Sequence, residues 1–163
     1  MEVTIRFTTH FPPNVTSVVI ARLGGSRRFS HCMLIHDGLA YEATMMHGTR
    51  VVPVKQAMEG VAFYQDMTVD VPNITKAIEF GASQAGKKYD FLGAFGIPFL
   101  ASEDWGDSSK WWCSELVFAM LGAGGLWVLD PAAQKRVTPQ DLLDLNYPKT
   151  LIINHKTDYV LPN

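Results

Sequence analysis

The sequence predicts one domain of mixed strand and helix, with short strands crowding the first half of the chain and helices following them. Three observations carry that expectation. Val3–Thr8 alternates and is rich in β-forming residues. Asp37-Gly38 stands between two apolar runs, the arrangement that favours a two-residue type I′ hairpin turn. Ile74, Ala77, Ile78, Gly81, Ala82 and Ala85 recur at the i, i+3, i+4 spacing of a helix face, as do Leu116, Val117, Met120 and Leu121.

Taken in order, Val3–Thr8 and Val18–Arg22 read as strands, and Gly24-Gly25-Ser26 as a turn. Arg27-Arg28 is a small basic spot, read either as a solvated loop or as a carboxylate-binding site. His31–His36 and Leu39–Thr44 form the hairpin. Its turn fixes the register, so His36 should pair with Leu39, Met33 with Glu42 and His31 with Thr44. Val51–Val54 and Val61–Val71 supply further strands. Asn73 is placed to cap a helix running to about Ala85, where Gly86 ends it. An apolar, Gly-rich segment and a polar loop lead to the Cys113 helix, closed by Gly122, Gly124 and Gly125. Thr138-Pro139-Gln140-Asp141 has the pattern of a capping box with proline in the first turn. Lys149–Asn154 reads as a last strand.

A chain of 163 residues with 47% hydrophobic and 18% charged residues suits a globular domain with a sizeable core. The net charge of -2 gives no reason to expect nucleic acid as a partner. Two cysteines, Cys32 and Cys113, make no disulfide framework. The longest apolar stretch, Phe91–Ala101, is too short for a transmembrane segment and contains Pro98. No charged region followed by an apolar run stands at the N-terminus, so the expectation is a soluble protein without a signal peptide, cytoplasmic or phage-associated.

Chemistry concentrates on Trp111-Trp112-Cys113-Ser114-Glu115-Leu116-Val117. A thiol at the start of a helix meets the positive end of the macrodipole and backbone N–H groups that have no partner within the helix. Both lower its pKa, and the thiolate is the nucleophile. The same N–H groups suit an oxyanion. The other reading of Cys113 is a small buried core residue. The partners elsewhere decide between them. His31 is a candidate base, and the hairpin register delivers Glu42 to the same side as a diagonal neighbour, within reach of the imidazole. Taken singly, His31 and Glu42 also read as ordinary strand residues. Cys32 and His36 should point to the opposite face. No metal-ligand spacing is present, no cofactor is implied, and His10, His47 and His155 read as scattered surface residues. Ser114 lacks a G-x-S-x-G context, and there is no phosphate-binding glycine loop.

Ser30-His31 on a strand, Glu42 on its hairpin partner, Tyr89-Asp90 after a helix, and Trp112-Cys113-Ser114-Glu115-Leu116-Val117 together resemble the NlpC-like cysteine peptidases of the papain-like superfamily. The resemblance is to the circularly permuted branch, where the histidine precedes the cysteine, and it spans about Phe29 to Leu143. Val137–Leu142 resembles the segment that closes such domains in phage and prophage relatives. The resemblance implies an α+β fold, an antiparallel sheet or half-barrel packed on helices, with residues 1–163 forming a single permuted papain-like domain. It implies Cys113 as nucleophile, His31 as base and Glu42 as the third polar residue. It places Tyr89 in the lining of the site; Asp90 matches by motif. Trp112, with Phe91, Trp105 and Trp111, would supply an apolar wall for substrate. Unlike better-known members, this chain is expected to carry no signal peptide and no appended cell-wall-binding domain.

The leading expectation is therefore a thiol hydrolase, a peptidase or amidase cleaving a peptide, isopeptide or acyl-amide substrate through an acyl-enzyme. Two alternatives stand beside it: an acyltransferase on lipid or acyl-amine substrates, and a non-catalytic phage structural or host-interaction protein.

Overall fold

The computed structural model describes residues 1–10, 29–90, 109–132, 137–155 and 159–160. The expected strand over Val18–Arg22, the turn and basic spot that follow it, Phe91 and Trp105 lie outside these residues. The described elements are β1 (Glu2–His10), β2 (His31–His36), β3 (Leu39–Thr44), β4 (Gly48–Pro53), α1 (Val54–Ala57), β5 (Val61–Asp70), α2 (Ile74–Ser83), β6 (Lys88–Tyr89), β7 (Lys110–Trp111), α3 (Cys113–Ala123), α4 (Pro139–Leu143), β8 (Ile153–Asn154) and β9 (Tyr159–Val160). Seven strands make one sheet in the order β4-β3-β2-β1-β5-β8-β9, every described pairing antiparallel, while β6 and β7 form a separate parallel ribbon. A mainly antiparallel sheet packed on helices is thus the observed architecture.

The hairpin forms where the turn residues demand it. Asp37 and Gly38 both have positive φ, 47° and 75°, as a type I′ turn requires. The pairs His36–Leu39 and Leu34–Tyr41 follow in the expected register. The ladder ends there, so the expected Met33–Glu42 and His31–Thr44 pairs do not form. Beyond Leu34 the start of β2 stays on β1, through Met33–Arg6, Cys32–Phe7 and His31–Thr8, while β3 stays on β4 through Glu42–Arg50.

One face of the sheet presents Val3, Ile5, Phe7, Cys32, Leu34, Tyr41, Ala43, Met67 and Val69 to the main core. On the other face Met33 and Ala40 pack against Ala57 of α1, with Ile35, Val52 and Val54 around them. Cover on both faces explains why Cys32, Met33 and Leu34 are buried in succession. The sequence reads Val54 as the end of a strand. Instead the chain turns helical there, and the Val54 amide donates to the Gly38 carbonyl at 2.9 Å.

Helix α3 is buried from Cys113 to Gly122. A helix apolar on all sides needs cover on all sides, and α3 has it from α2, β2, β3 and α4. Its start is fixed by the buried Ser114 hydroxyl, which donates to the Val137 carbonyl at 2.6 Å. The expected caps form: Asn73 Oδ1 accepts from the Lys76 amide, and Thr138 and Asp141 close a capping box. Helix α2 ends at Ser83, two residues before the expected Ala85, and the last expected strand narrows to Ile153–Asn154.

The turn from β3 to β4 is pinned to the segment after α2. The Thr49 amide donates to the Lys87 carbonyl and the Gly86 amide to the Thr49 carbonyl, both at 2.8 Å. Gly48 makes the approach possible. Its φ is +66°, and a Cβ there would lie 2.3 Å from the Lys87 carbonyl oxygen. Gly48→Ala should therefore destabilise the fold by about 1–3 kcal/mol through left-handed strain, with the clash adding to it. Urea unfolding measures this; an unchanged midpoint would mean the turn and the Lys87 backbone are not held together.

Candidate functional site: a buried thiol, imidazole and carboxylate

Glu42 is the fixed point of the site. Its side chain is 2% exposed, and its two oxygens are divided between two partners. His31 Nε2 donates to Oε2 at 2.8 Å. Arg50 Nε and Nη2 reach Oε1 at 2.8 and 2.7 Å. A buried carboxylate needs such partners, because burial alone would drive it neutral. Burial does push the Glu42 carboxyl upward, but the hydrogen bonds and charges of His31 and Arg50 outweigh it and hold the group below its usual range.

His31 is the first residue of β2, at the end where β2 and β3 no longer pair. The His31–Glu42 bond bridges those diverging strands. Nε2–H is committed to Glu42, and the Cys113 thiol lies near enough to act on the charge of the ring. Desolvation opposes a charge on this ring. The hydrogen bonds and charges of Cys113 and Glu42 prevail and push its pKa up to about 10. Its side chain is 13% exposed, so one part of the imidazole still meets solvent.

Cys113 opens α3, following Trp112, whose extended backbone makes it the helix N-cap. The thiol pKa is held well below the ordinary value. The largest cause is a hydrogen bond from the Cys32 thiol; burial opposes the shift, and the hydrogen bond and charge of His31 reinforce it, as does the Cys32 backbone. Cys32 moves the other way: burial and the neighbouring Cys113 charge raise its pKa, so it remains the protonated partner. Both shifts favour a thiolate beside an imidazolium, and Glu42 sets the orientation of the ring. Cys113 is only 1% exposed, so a substrate reaches the sulfur only if its cover moves.

Three participants were not legible as such. Cys32 does face away from His31 along the strand, into the core, yet that core face is where the helix brings Cys113. Arg50 lies before the expected β4, which begins three residues earlier than anticipated, at Gly48; counting across that second hairpin would have paired it with Glu42. His10, read as a surface residue, is partly buried. Burial and the His31 charge lower its pKa, while the Glu42 charge raises it.

The remaining expected site residues divide. Tyr89 is buried close enough to sense the site: desolvation and the charges of Cys113, Cys32 and Asp90 raise its phenol well above the usual value, so it stays a hydroxyl donor. Asp90 is buried, and its amide donates to the Trp111 carbonyl at 3.0 Å. Trp112 is 2% exposed within the core. Trp111 is edge-on to Phe80, with its indole N–H donating to Gln84 at 3.0 Å. Among the described residues, no three His, Cys, Asp or Glu side chains are grouped to hold a metal ion. Nor is any described helix long and apolar enough to cross a membrane.

No family model matches the chain, and no curated protein matches it. The fold is similar to the crystal structure of the metalloprotein yiiX from Escherichia coli O157:H7, with a TM-score of 0.64 and 16% identity, over 90% of this chain and 94% of that one.

The electrostatics predict a pH signature. Alkylation of Cys113 by iodoacetamide should depend less steeply on pH than that of an ordinary thiol, which gains about tenfold per pH unit until it approaches its pKa of about 8.5. A folded-state thiol pKa below the usual value means the reactive form is lost only as pH falls through that lower value. Cys32→Ala removes a donor to the thiolate and should move the profile to higher pH, while Cys32→Ser, which keeps a donor, should move it less. Equal profiles for all three proteins would remove Cys32 from the site.

Proposed function

We propose that this protein is a thiol hydrolase of circularly permuted papain-like fold, cleaving an amide bond through a thioester intermediate. The observation that carries the reading is the His31–Glu42 bond at 2.8 Å beside a Cys113 thiol near enough to act on the imidazole, drawn from two distant parts of the sequence. The resemblance of the Ser30-His31, Tyr89-Asp90 and Cys113–Val117 segments to NlpC-like peptidases supports it, as does an antiparallel sheet packed on the cysteine-bearing helix.

In this reading the Cys113 thiolate attacks the carbonyl carbon of the amide, forming the S–C bond. The Cys113 backbone N–H, free of any partner within α3, stabilises the oxyanion. Collapse of the tetrahedral intermediate breaks the C–N bond, and the His31 imidazolium donates its proton to the departing amine. His31, now neutral, takes a proton from water as it attacks the thioester. The carboxylic acid leaves, and the thiolate and imidazolium are restored. Glu42 keeps the ring in one orientation throughout, and Arg50 keeps Glu42 ionised.

The test uses an activated acyl ester and intact-protein mass spectrometry. The expected result is a single acyl adduct on Cys113 that decays in water, absent in Cys113→Ala. His31→Gln should form it at least about a hundredfold more slowly, the usual scale of a lost general acid–base group. Preferential transfer of the acyl group to an added amine would redirect the reading to an acyltransferase. A folded protein whose Cys113 never acylates would be the non-catalytic alternative, and the hydrolase reading would fall.

A further inference from the structure

Four polar side chains stand in a row across the neighbouring strands β1, β2, β3 and β4. Thr8 is the register partner of His31, His31 Nε2 donates to Glu42, and Glu42 is both the register partner and the ion-pair partner of Arg50. The row lies on one face of the sheet. Phe7, Cys32, Tyr41 and Ala43 turn to the main core, so Thr8, His31 and Glu42, each next to one of them along its strand, turn away from it.

Three members of the row are bonded to one another, and Thr8 is not. It is fully buried, and its hydroxyl has no hydrogen-bond partner among the described residues. Arg6, two residues back on the same face, is committed to Asp66 through two bonds of 2.7 Å. The backbone of Thr8 is not short of partners, since its carbonyl accepts from the Ser30 amide at 3.1 Å. A buried hydroxyl left unmet costs about 1–3 kcal/mol, and valine, of nearly the same shape, would avoid that cost.

Cross-strand partners hold their Cβ atoms about 4.5–5.5 Å apart. The Thr8 hydroxyl therefore lies on the β1 side of the imidazole, while Nε2 is committed to Glu42 on the side of β3. A small polar group bound to that hydroxyl is within reach of the ring. Thr8, like Cys113, is reached only if its cover moves, which assigns its partner to the substrate-bound state.

Hydrolysis of a thioester needs one bound species that acylation does not. A water has to be held against the imidazole and aimed at the carbonyl carbon, and a buried water takes at least two polar partners. We infer that Thr8 positions this water: its hydroxyl and the neutral His31 ring hold the water between them while Cys113 carries the acyl group. The water gives a proton to His31 as its oxygen bonds to the carbonyl carbon, the S–C bond then breaks, and Thr8 itself exchanges no proton. The step rests on the hydrolase reading above; the unmet hydroxyl beside the ring does not.

Two measurements separate them. The first follows p-nitrophenyl butanoate, whose burst of p-nitrophenolate reads acylation and whose steady state reads deacylation, with intact-protein mass spectrometry to weigh the adduct on Cys113. Thr8→Val should acylate within about threefold of the unaltered protein but lose at least about tenfold in deacylation, so that the acyl-enzyme accumulates. Its thermal midpoint should be unchanged or higher, because an unmet polar group has been removed. Thr8→Ser, which keeps the hydroxyl, should recover deacylation. The second is a crystal structure of the protein alkylated at Cys113 by iodoacetamide, in which an ordered water should lie within about 3.2 Å of Thr8 Oγ1 and touch the His31 ring. A water at that place in a protein that never acylates would sink the hydrolase reading and keep Thr8 as a water-holding partner of His31. Equal deacylation by Thr8→Val, equal loss of both steps with a lowered midpoint, or a Thr8 hydroxyl turned to a protein acceptor would overturn the assignment of Thr8 and leave the hydrolase reading intact.

Discussion

A carboxylate with almost no contact with water is the constraint around which the site is arranged. Glu42 cannot remain ionised in that position unless both of its oxygens are engaged, and the two engagements pull on different strands. His31 ties it to the start of β2 and Arg50 ties it to β4. The imidazole is thereby held in one orientation, and its charge is favoured enough to prevail over desolvation. The low thiol pKa of Cys113 is partly a consequence at one remove, because the cation that stabilises the thiolate is itself stabilised by Glu42.

Much of this was written locally in the chain. Asp37-Gly38 specifies a turn whose register holds as far as Leu34–Tyr41, and beyond it the side chains of His31 and Glu42 still meet. The caps at Asn73 and Thr138 and the helical spacing after Cys113 are equally local, since each depends on residues within a few positions of one another. What escaped depends on how strands diverge and where a distant helix settles. The β2–β3 ladder stops early because each strand keeps its other neighbour, a matter of sheet curvature that no spacing rule contains. Cys32 becomes a partner of Cys113 only because α3 lies across the core face of β2, some eighty residues away along the chain. Arg50 was hidden by a β4 that starts at a glycine rather than at its valines.

The site combines strong polarisation with burial. Desolvation raises the cost of every charge in it, yet also strengthens each hydrogen bond between charged partners. With Cys113 covered and part of His31 still meeting solvent, the polar groups of the site are held by one another. Tyr89 is within electrostatic reach of the polarised interior and also lines an open cleft with Lys88 and Met45.

The order of strands has a consequence for how the molecule is made. The first strand of the chain, β1, lies between β2 and β5 in the middle of the sheet, and residue Thr8 on it is the register partner of His31. In synthesis this segment precedes both of its neighbours, the second of them by more than fifty residues. Assembly dominated by such remote pairings is slow, because loop closure precedes any reward from contact. The His31 imidazole and the Cys113 thiol, furthermore, can meet only once the chain has been made as far as α3.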